Sequence, residues 1–449
     1  MTLTRRQILA TAFAAAALPA SAQESEPISQ VLTDLLGFDQ PRFDRAIASV
    51  AARGGTDLIS SLIFLMPFTY GPREKFDIAL QALTREKRSG WFQWMLWQEA
   101  HPEVVSNPAY YDFKREILIQ IDPNFDPFIS KKYITPDAAR IRFEEVTWGG
   151  VVKDGIPSLD NPPLIAASEA SYLRDDDLVF GVSINGDTRA YPLRIMGWHE
   201  MFNEVIGGVH VALAYCTLCG SGILFETSVE GRGKPFVFGS SGFLYRSNKL
   251  MFDRQTSTLW NQFTGEPVIG KLAQSGIALK QRPVVIAAWG DWKRDNPTTQ
   301  VLSLETGHQR NYSSGHVYKD YFASADLMFP AAVDTTKRAQ KDYVFGIRQF
   351  GAAKAWPLDA FKQTPVINDK AGAVNIVLVG DPDGRTVRAY ERGDLEFDAG
   401  LNAGGVQWQR SEDGLIAPDG RILPRVAGHI AYWFAWDNYV GDLGEVYGG

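Results

Sequence analysis

Residues 178–187 read LVFGVSINGD, and this stretch decides how the middle of the chain folds. A short run rich in β-branched and aromatic residues ends at Asn185-Gly186, the dipeptide that two-residue hairpin turns favour because both turn positions need positive φ. A second run of the same kind, TRAYPL, follows at residues 188–193. The stretch therefore predicts a β-hairpin, and short runs of this texture, separated by Gly, Asp, Asn and Pro, continue beyond about residue 141.

This hairpin sequence occurs a second time. Residues 177–216 align without gaps to residues 342–381 at a constant offset of 165, and AWGDW at 288–292 resembles YWFAW at 432–436. Such an internal repeat predicts two related β-rich lobes. The paired positions are glycines, apolar residues, an asparagine and an Ala-x-Pro-Leu motif: Val179/Val344, Phe180/Phe345, Gly181/Gly346, Gly186/Gly351, Ala190/Ala355, Pro192/Pro357, Leu193/Leu358, Asn203/Asn368, Gly207/Gly372, Val209/Val374 and Leu213/Leu378.

The two copies differ at residues that could carry chemistry. A reactive residue that occurs in one copy only is not needed for the fold of a lobe, so we expect the function to lie in the first copy. The exchanged pairs are His199/Thr364, Glu200/Pro365 and Cys216/Asp381.

The chain before the β-rich region has a helical pattern. Ile28, Val31, Leu32 and Leu35 recur at three- and four-residue spacings, which is typical of an amphipathic helix. We therefore predict the α+β class, with an N-terminal α-helical domain followed by two duplicated, mainly β lobes. The predicted divisions are a signal peptide (1–22), a helical domain (23–140), a first lobe with the cysteines (141–330) and a second lobe (331–449).

The first residues have the composition of an export signal. TRRQIL at residues 4–9 resembles a twin-arginine motif, an apolar run follows, and ASA at 20–22 fits a cleavage site after Ala22. A general secretory signal is the alternative interpretation. We expect a periplasmic or secreted protein without a stable membrane span, because no later apolar run is long enough. The net charge of -7 argues against binding to nucleic acid.

The chain contains two cysteines, Cys216 and Cys219, in a C-x-x-C arrangement. They follow a strand-like run at residues 209–215, VHVALAY. This spacing can bring two sulfurs onto one metal ion or close a redox-active disulfide. A structural disulfide across so short a loop would add little stability through chain entropy, so a functional role is favoured.

Several motifs in this region are specific. They are DGIP at 154–157, AYPL at 190–193, WHE at 198–200, YCTLCG at 215–220, MFDR at 251–254 with Thr256 and Trp260, and ETG at 305–307 with Arg310. Through them, residues from about 149 to 447 resemble the bacterial and archaeal family catalogued as domain of unknown function 3179. Members of this family usually have proline where this chain has Thr217. The resemblance implies a shared fold and assigns no activity.

The leading functional hypothesis is a metal site in the first lobe. Cys216 and Cys219 would supply two thiolates and His199 a third ligand, a donor set that suits zinc or copper. Glu200 and Asp253 are the candidate catalytic carboxylates, and either could replace or orient a ligand.

Two alternatives stay open. The first is a thiol–disulfide oxidoreductase, in which Cys216 attacks, Cys219 resolves and His199 lowers the thiol pKa. The second is a non-enzymatic binding module, in which the helical domain docks a protein partner. The aromatic run at residues 91–97, WFQWMLW, could form such a surface, although a buried helix core is the favoured interpretation. The sequence does not identify a small-molecule substrate.

Overall fold

The computed structural model describes residues 27–448, and the predicted signal peptide at residues 1–22 lies outside them. Helices form the first part of the described chain. Asp39 caps one of them by accepting a hydrogen bond from the Arg42 amide at 3.0 Å, and Asn107 does the same for the Ala109 amide. The helices of this part are Ile28–Leu36, Gln40–Arg53, Ile59–Leu65, Arg73–Thr84, Gly90–Ala100 and Pro108–Ile121.

These helices share one apolar core with the β structure that follows. Trp94 and Tyr110 are buried in the same cluster as Phe243 and Phe252, which lie on strands far along the chain. The packing therefore crosses the boundary predicted near residue 140. The sheet that contributes these strands has the order Val146–Trp148, Phe238–Tyr245, Asn248–Asp253, Leu259–Asn261 and Glu266–Ile269, and every neighbouring pair is antiparallel.

The first lobe contains two more sheets. The order of one is Gln281–Arg282, Ser221–Glu226, Val209–Cys216, Met201–Ile206 and Leu159–Asp160. The order of the other is Val285–Ala288, Leu178–Ile184, Asp187–Pro192, Gln300–Leu302 and Leu164–Ala166. The short helix Leu193–His199 connects the second of these sheets to the first, and Trp289–Asp295 joins two strands of the second sheet. The helix Lys319–Ala323 follows the last strand of the lobe.

The second lobe is built from sheets with a similar order. One joins His429–Tyr432, Tyr343–Gln349, Ala352–Pro357 and Glu445–Val446. Another joins Val366–Ala371, Val374–Asp381, Thr386–Glu391, Ile422–Val426, Gly414–Ile416 and Gln409–Arg410, and a small ribbon pairs Asn402–Ala403 with Val406–Gln407. The helix Trp433–Val440 follows the strand His429–Tyr432.

The hairpin predicted at Asn185-Gly186 is confirmed. Asn185 has φ 52° and Gly186 has φ 83°, and Ile184 pairs with Asp187 across the turn. Positive φ at both positions matches the twist of the flanking strands, which is why this dipeptide is favoured there.

The two lobes are not separate bodies, because their apolar side chains form a common core. Phe180 and Tyr215 of the first lobe belong to the same buried cluster as Phe345 and Trp356 of the second. The combination of helices and largely antiparallel sheets confirms the predicted α+β class. Among residues 27–448, no helix has the length and apolarity needed to cross a membrane.

Candidate functional site

The two cysteines lie together at the end of a strand. Cys216 is the last residue of Val209–Cys216 and pairs with Ser221 at the start of the next strand, so residues 217–220 form the connecting turn. The Cys219 amide donates to the Cys216 carbonyl at 3.2 Å, and the two sulfurs are 3.1 Å apart. Both side chains are almost completely buried, with 1% and 0% of their surface exposed. Both are free thiols.

The second lobe holds this turn in place. The Tyr432 amide donates to the Cys219 carbonyl at 2.8 Å. Gly220 has φ 61°, and a Cβ atom there would approach the rings of Tyr343 and Tyr432 to 3.1 and 3.2 Å. From the first lobe, the Tyr321 hydroxyl donates to the Leu218 carbonyl at 2.6 Å. Glycine at position 220 therefore serves both the left-handed backbone and the close contact with the second lobe.

The surroundings shift the pKa values of the two thiols in opposite directions. Burial by itself would raise the pKa of Cys216, but the hydrogen bond between the two sulfurs and the backbone amides of Lys249 and Cys219 outweigh it, so this pKa is lowered. Burial and the neighbouring Cys216 sulfur raise the pKa of Cys219 well above its usual value. Cys216 is thus the thiol that becomes a thiolate first, and Cys219 keeps its proton.

Cys216 lines a small, partly open cavity of about 70 Å³. Part of the wall is apolar and includes Ile156, Met328 and Phe329. The polar side chains that line it are Glu200, Thr217, Ser240, Lys249 and Tyr318. The cavity therefore brings a reactive sulfur together with an acid, a base and three hydroxyl groups within reach of a small molecule.

Glu200 and Lys249 form an ion pair in this cavity. The Lys249 ammonium donates to Glu200 Oε2 at 3.0 Å, and the two side chains are 5% and 7% exposed. Glu200 Oε1 accepts from the Thr217 hydroxyl at 2.8 Å and from the Tyr318 hydroxyl at 3.3 Å. Glu200 itself has φ 55°, because it is the residue that ends the helix Leu193–His199.

His199 lies beside different partners. Its Nδ1–H donates to the Pro157 carbonyl at 2.9 Å, because a carbonyl can only accept, and Nε2 therefore accepts from the Tyr312 hydroxyl at 2.6 Å. The Tyr312 oxygen in turn lies 2.7 Å from the Thr306 hydroxyl. Burial lowers the pKa of His199 to about 4, and the charges of His308 and Arg310 act in the same direction. Both ring nitrogens are thus engaged in a neutral hydrogen-bonded chain.

The predicted arrangement of Cys216, Cys219 and His199 around one metal ion is not formed. Within residues 27–448, no group of three or more His, Cys, Asp or Glu side chains is placed to hold a metal. Two thiolates on a tetrahedral zinc ion would lie about 3.8 Å apart, given Zn–S bonds of about 2.3 Å. The observed separation of the sulfurs is shorter, at 3.1 Å.

Asp253, predicted as a second catalytic carboxylate, stabilises a turn and does not line the cavity. It accepts hydrogen bonds from the Thr256 amide at 2.6 Å, from the Thr256 hydroxyl at 2.7 Å and from Trp260 Nε1 at 2.9 Å. It is fully buried by these contacts. Its oxygens are therefore occupied by the protein's own donors.

Sequence reasoning missed Lys249, Thr217 and Tyr318. One signal for Lys249 was available, because a lysine inside the apolar strand Asn248–Asp253 has to find a buried partner. Tyr318 lies about one hundred residues from the cysteines along the chain, and no local pattern connects them.

Comparison with known proteins places the chain in a family. No curated protein and no solved structure matches it. A family profile described as protein of unknown function (DUF3179) matches residues 153–443, which include most of both lobes and the cysteine turn but not the N-terminal helices. The predicted resemblance is confirmed, and the chain belongs to the DUF3179 family.

Proposed function

We propose that Cys216 and Cys219 form a dithiol–disulfide couple that exchanges two electrons with a small substrate. The observation that carries this proposal is the pair of buried free sulfurs 3.1 Å apart, of which Cys216 alone opens onto a cavity. The opposite pKa shifts of the two thiols support it, because thiol exchange needs one nucleophilic thiolate and one protonated resolving thiol.

The reaction proceeds in two displacements. The Cys216 thiolate attacks one sulfur of a substrate disulfide and forms a mixed disulfide with it, while the substrate S–S bond breaks and the other sulfur leaves first, as a thiolate. The Cys219 thiol then gives its proton to that leaving group and attacks Cys216, which releases the second substrate sulfur as a thiolate. The substrate gains two electrons, and the protein ends with a Cys216–Cys219 disulfide.

The cavity limits the class of substrate. Cys216 is 1% exposed, and the space in front of it measures about 70 Å³. A low-molecular-weight disulfide whose sulfur enters the cavity suits this space better than a disulfide on the surface of a folded protein. The export signal predicted at residues 1–22 would place the couple in a periplasmic or extracellular compartment, where disulfides persist.

The ion pair sets the electrostatics of the attacking sulfur. The negative charge of Glu200 raises the pKa of Cys216, in opposition to the hydrogen bonds that lower it. The Lys249 ammonium lies 3.0 Å from the Glu200 carboxylate and offsets its negative charge. The lysine therefore indirectly favours the thiolate form of Cys216. Lys249 is therefore a positioning residue in this proposal.

The test is a count of thiols across a redox titration, followed by alkylation and mass spectrometry. We expect two free thiols after mild reduction, none after oxidation, and one midpoint potential for the pair. Cys216→Ser and Cys219→Ser should each abolish reversible oxidation, whereas Ser221→Ala, a neighbouring buried serine, should retain it. Two thiols that stay free under every oxidant would refute the proposal.

The second candidate is a copper or zinc ion held by Cys216 and Cys219. The observation in its favour is the pair of adjacent, buried and soft sulfur ligands. Any further ligands would have to come from outside the set first predicted, because both His199 nitrogens are already bonded. Elemental analysis of the purified protein tests this candidate. One equivalent of copper or zinc, lost in a Cys216→Ser/Cys219→Ser variant, would establish it.

The third possibility is a binding module whose helices dock a partner protein. The helix Gly90–Ala100 packs much of its aromatic surface against the rest of the protein, since Trp94 and Trp97 are buried and Trp91 contacts Phe329. Less of this surface is therefore free to contact a partner. Retention of a full cellular phenotype by the double cysteine variant would favour this role over either cysteine chemistry.

A further inference from the structure

A second and larger cavity lies between the lobes, away from the cysteines. It has a volume of about 500 Å³, and none of the residues that line it line the cysteine cavity. We name it the basic cleft, after four of its residues, and define it by Lys280, Arg282, Arg348, Arg425, Thr264 and Gln349. The first lobe contributes Lys280, Arg282 and Thr264, and the second lobe contributes the others.

Arg348 is the most informative residue of the basic cleft. Within residues 27–448, no carboxylate lies within ion-pair distance of its guanidinium, which donates through Nη2 to the Phe263 carbonyl at 2.5 Å. Its Nε is buried and has no hydrogen-bond partner among the described residues. Burial lowers the pKa of Arg348, and the more distant Glu266 only partly opposes this. A buried guanidinium without a paired carboxylate is costly, so this position favours the binding of an anion.

Other polar atoms of the basic cleft also lack partners. Buried Nε of Arg425 and Oγ1 of Thr264 have no hydrogen-bond partner among the described residues. Arg425 does form an ion pair with Glu412, at 2.6 Å, but it shares that carboxylate with Arg388. Two unsatisfied guanidinium nitrogens and a hydroxyl group on residues that line one cavity are unusual, because buried polar groups are nearly always hydrogen-bonded.

The remaining charges leave the basic cleft positive. Lys280 and Arg282 both pair with the single carboxylate of Glu226. Together with Arg348 and Arg425, four cations therefore face a cavity in which each carboxylate at ion-pair distance is shared by two bases. The positive potential of such a cleft favours anionic ligands.

We propose that the basic cleft binds a small organic anion that carries a phosphate or carboxylate group. The planar forks of Arg348 and Arg425 suit the oxygens of either group, and Thr264 and Gln349 can add neutral hydrogen bonds. The volume of about 500 Å³ is larger than an inorganic ion needs and falls within the range of ordinary small-molecule sites. The anion is held by both lobes at once.

The test is titration calorimetry of the full chain at low ionic strength, with inorganic phosphate and citrate as the two probes. We expect saturable one-to-one binding of at least one probe, and the stronger of the two identifies the preferred group. Arg348→Gln should weaken that binding at least about tenfold, because it removes a charge-assisted hydrogen bond. The matched control is Lys370→Gln, which removes an equal charge from an exposed site and should change the affinity less than about twofold.

Two further variants keep the test decisive. Cys216→Ser should bind the probe as the unmodified protein does, because the basic cleft shares no lining residue with the cysteine cavity. If Arg348→Gln fails to fold, Arg282→Gln takes its place and should weaken binding several-fold. Absence of binding by both probes, or an unchanged affinity in the folded arginine variant, overturns the proposal.

Discussion

The two β lobes follow the same course along the chain and differ where the chemistry begins. Leu178–Ile184 and Tyr343–Gln349 are strands of equal length 165 residues apart, and so are Val209–Cys216 and Val374–Asp381. The cysteine that ends Val209–Cys216 is replaced by an exposed aspartate at the end of Val374–Asp381. The strands are thus specified by turns and apolar residues, and the residue at a strand end is free to differ.

A shared packing contact shows how closely the frameworks agree. A Cβ atom on Gly181 would come within 2.3 Å of the Trp292 ring, and one on Gly346 would come within 1.9 Å of the Trp436 ring. In each lobe, a tryptophan of the helix that follows the edge strand lies directly on a glycine of the sheet. Experiments that treat the lobes in parallel therefore separate structural residues from functional ones.

The largest difference is expected from the two lysine–carboxylate pairs. Lys249→Met should destabilise the protein by about 3–5 kcal/mol, because it leaves the Glu200 carboxylate buried without its cation. In the second lobe, Lys354 pairs with Asp369 at 3.0 Å, with side chains that are 13% and 18% exposed. Lys354→Met should cost only about 1 kcal/mol, since water and the Trp356 indole N–H still solvate Asp369. Urea unfolding measures both, and equal losses would contradict the comparison.

The same lysine variant has a second expected effect that a purely structural role would not produce. With Lys249 removed, the uncompensated charge of Glu200 should raise the pKa of Cys216, whereas Glu200→Gln should lower it. The rate of iodoacetamide alkylation as a function of pH measures this pKa. Lys354→Met is the control and should leave the alkylation profile unchanged.

The next effect concerns the glycines beneath the tryptophans. Gly346→Ala should destabilise the protein by about 3 kcal/mol and Gly181→Ala by about 2 kcal/mol, because the added methyl group overlaps an indole ring. Gly233→Ala is the control, since a Cβ atom there meets no atom within 4 Å. Thermal unfolding measures all three variants. A tolerated alanine at Gly346 would show that Trp436 can move.

A pH effect of similar or smaller size is expected from the buried histidines. Burial lowers the pKa of His199 to about 4 and that of His429 to about 3, below the unfolded value of about 6.5. Their neutral forms therefore stabilise the fold fully above pH of about 6.5, and this contribution is lost as the pH falls toward the folded values. Between pH 6.5 and 4.5, each should account for about 2 kcal/mol of lost stability.

Urea unfolding at several pH values measures this loss. His199→Gln and His429→Gln should each reduce, by a similar amount, the fall in the free energy of unfolding between pH 6.5 and 4.5. One histidine of each lobe therefore contributes to the acid sensitivity of the fold. An unchanged acid limb in His199→Gln would mean that the folded protein accepts a proton there.

The smallest effect lies in the hairpin turns. The first lobe has Asn185 at φ 52°, whereas the second has Phe350 at φ 58°, where a bulky side chain is disfavoured. Phe350→Asn should therefore stabilise the protein by about 1 kcal/mol, and Asn185→Phe should destabilise it by about as much. Thermal unfolding of the two reciprocal variants measures the pair. A destabilised Phe350→Asn variant would indicate that the ring contributes packing that outweighs its backbone strain.

Much of the framework could be predicted from the sequence because the signals are local. The hairpin at Asn185-Gly186 is encoded by two adjacent residues, and the helices are encoded by apolar spacing. The shared core of the helices and the first sheet could not be predicted, because it depends on contacts such as Phe125 with Phe243, whose rings lie 4.5 Å apart across a long separation in sequence.

The candidate site was predicted only in part, for a similar reason. Cys216, Cys219 and Glu200 do meet at one cavity or beside it, and the single-copy argument had identified Cys216 and Glu200. His199 was also a single-copy residue, yet it bonds Pro157 and Tyr312, because the helix ends between it and Glu200. Adjacent residues in a motif need not face the same site once the backbone changes direction at a helix end.

The contact between Tyr432 and the cysteine turn determines how the chain can be divided. The peptide that carries Cys219 is bonded to the strand His429–Tyr432, and Gly220 lies against aromatic rings of the second lobe. A fragment that ends near residue 330 would keep both sulfurs and lose the wall behind them, so solvent would reach thiols that the whole chain encloses. The second lobe therefore covers the cysteines of the first, and the smallest fragment that keeps them enclosed contains both lobes.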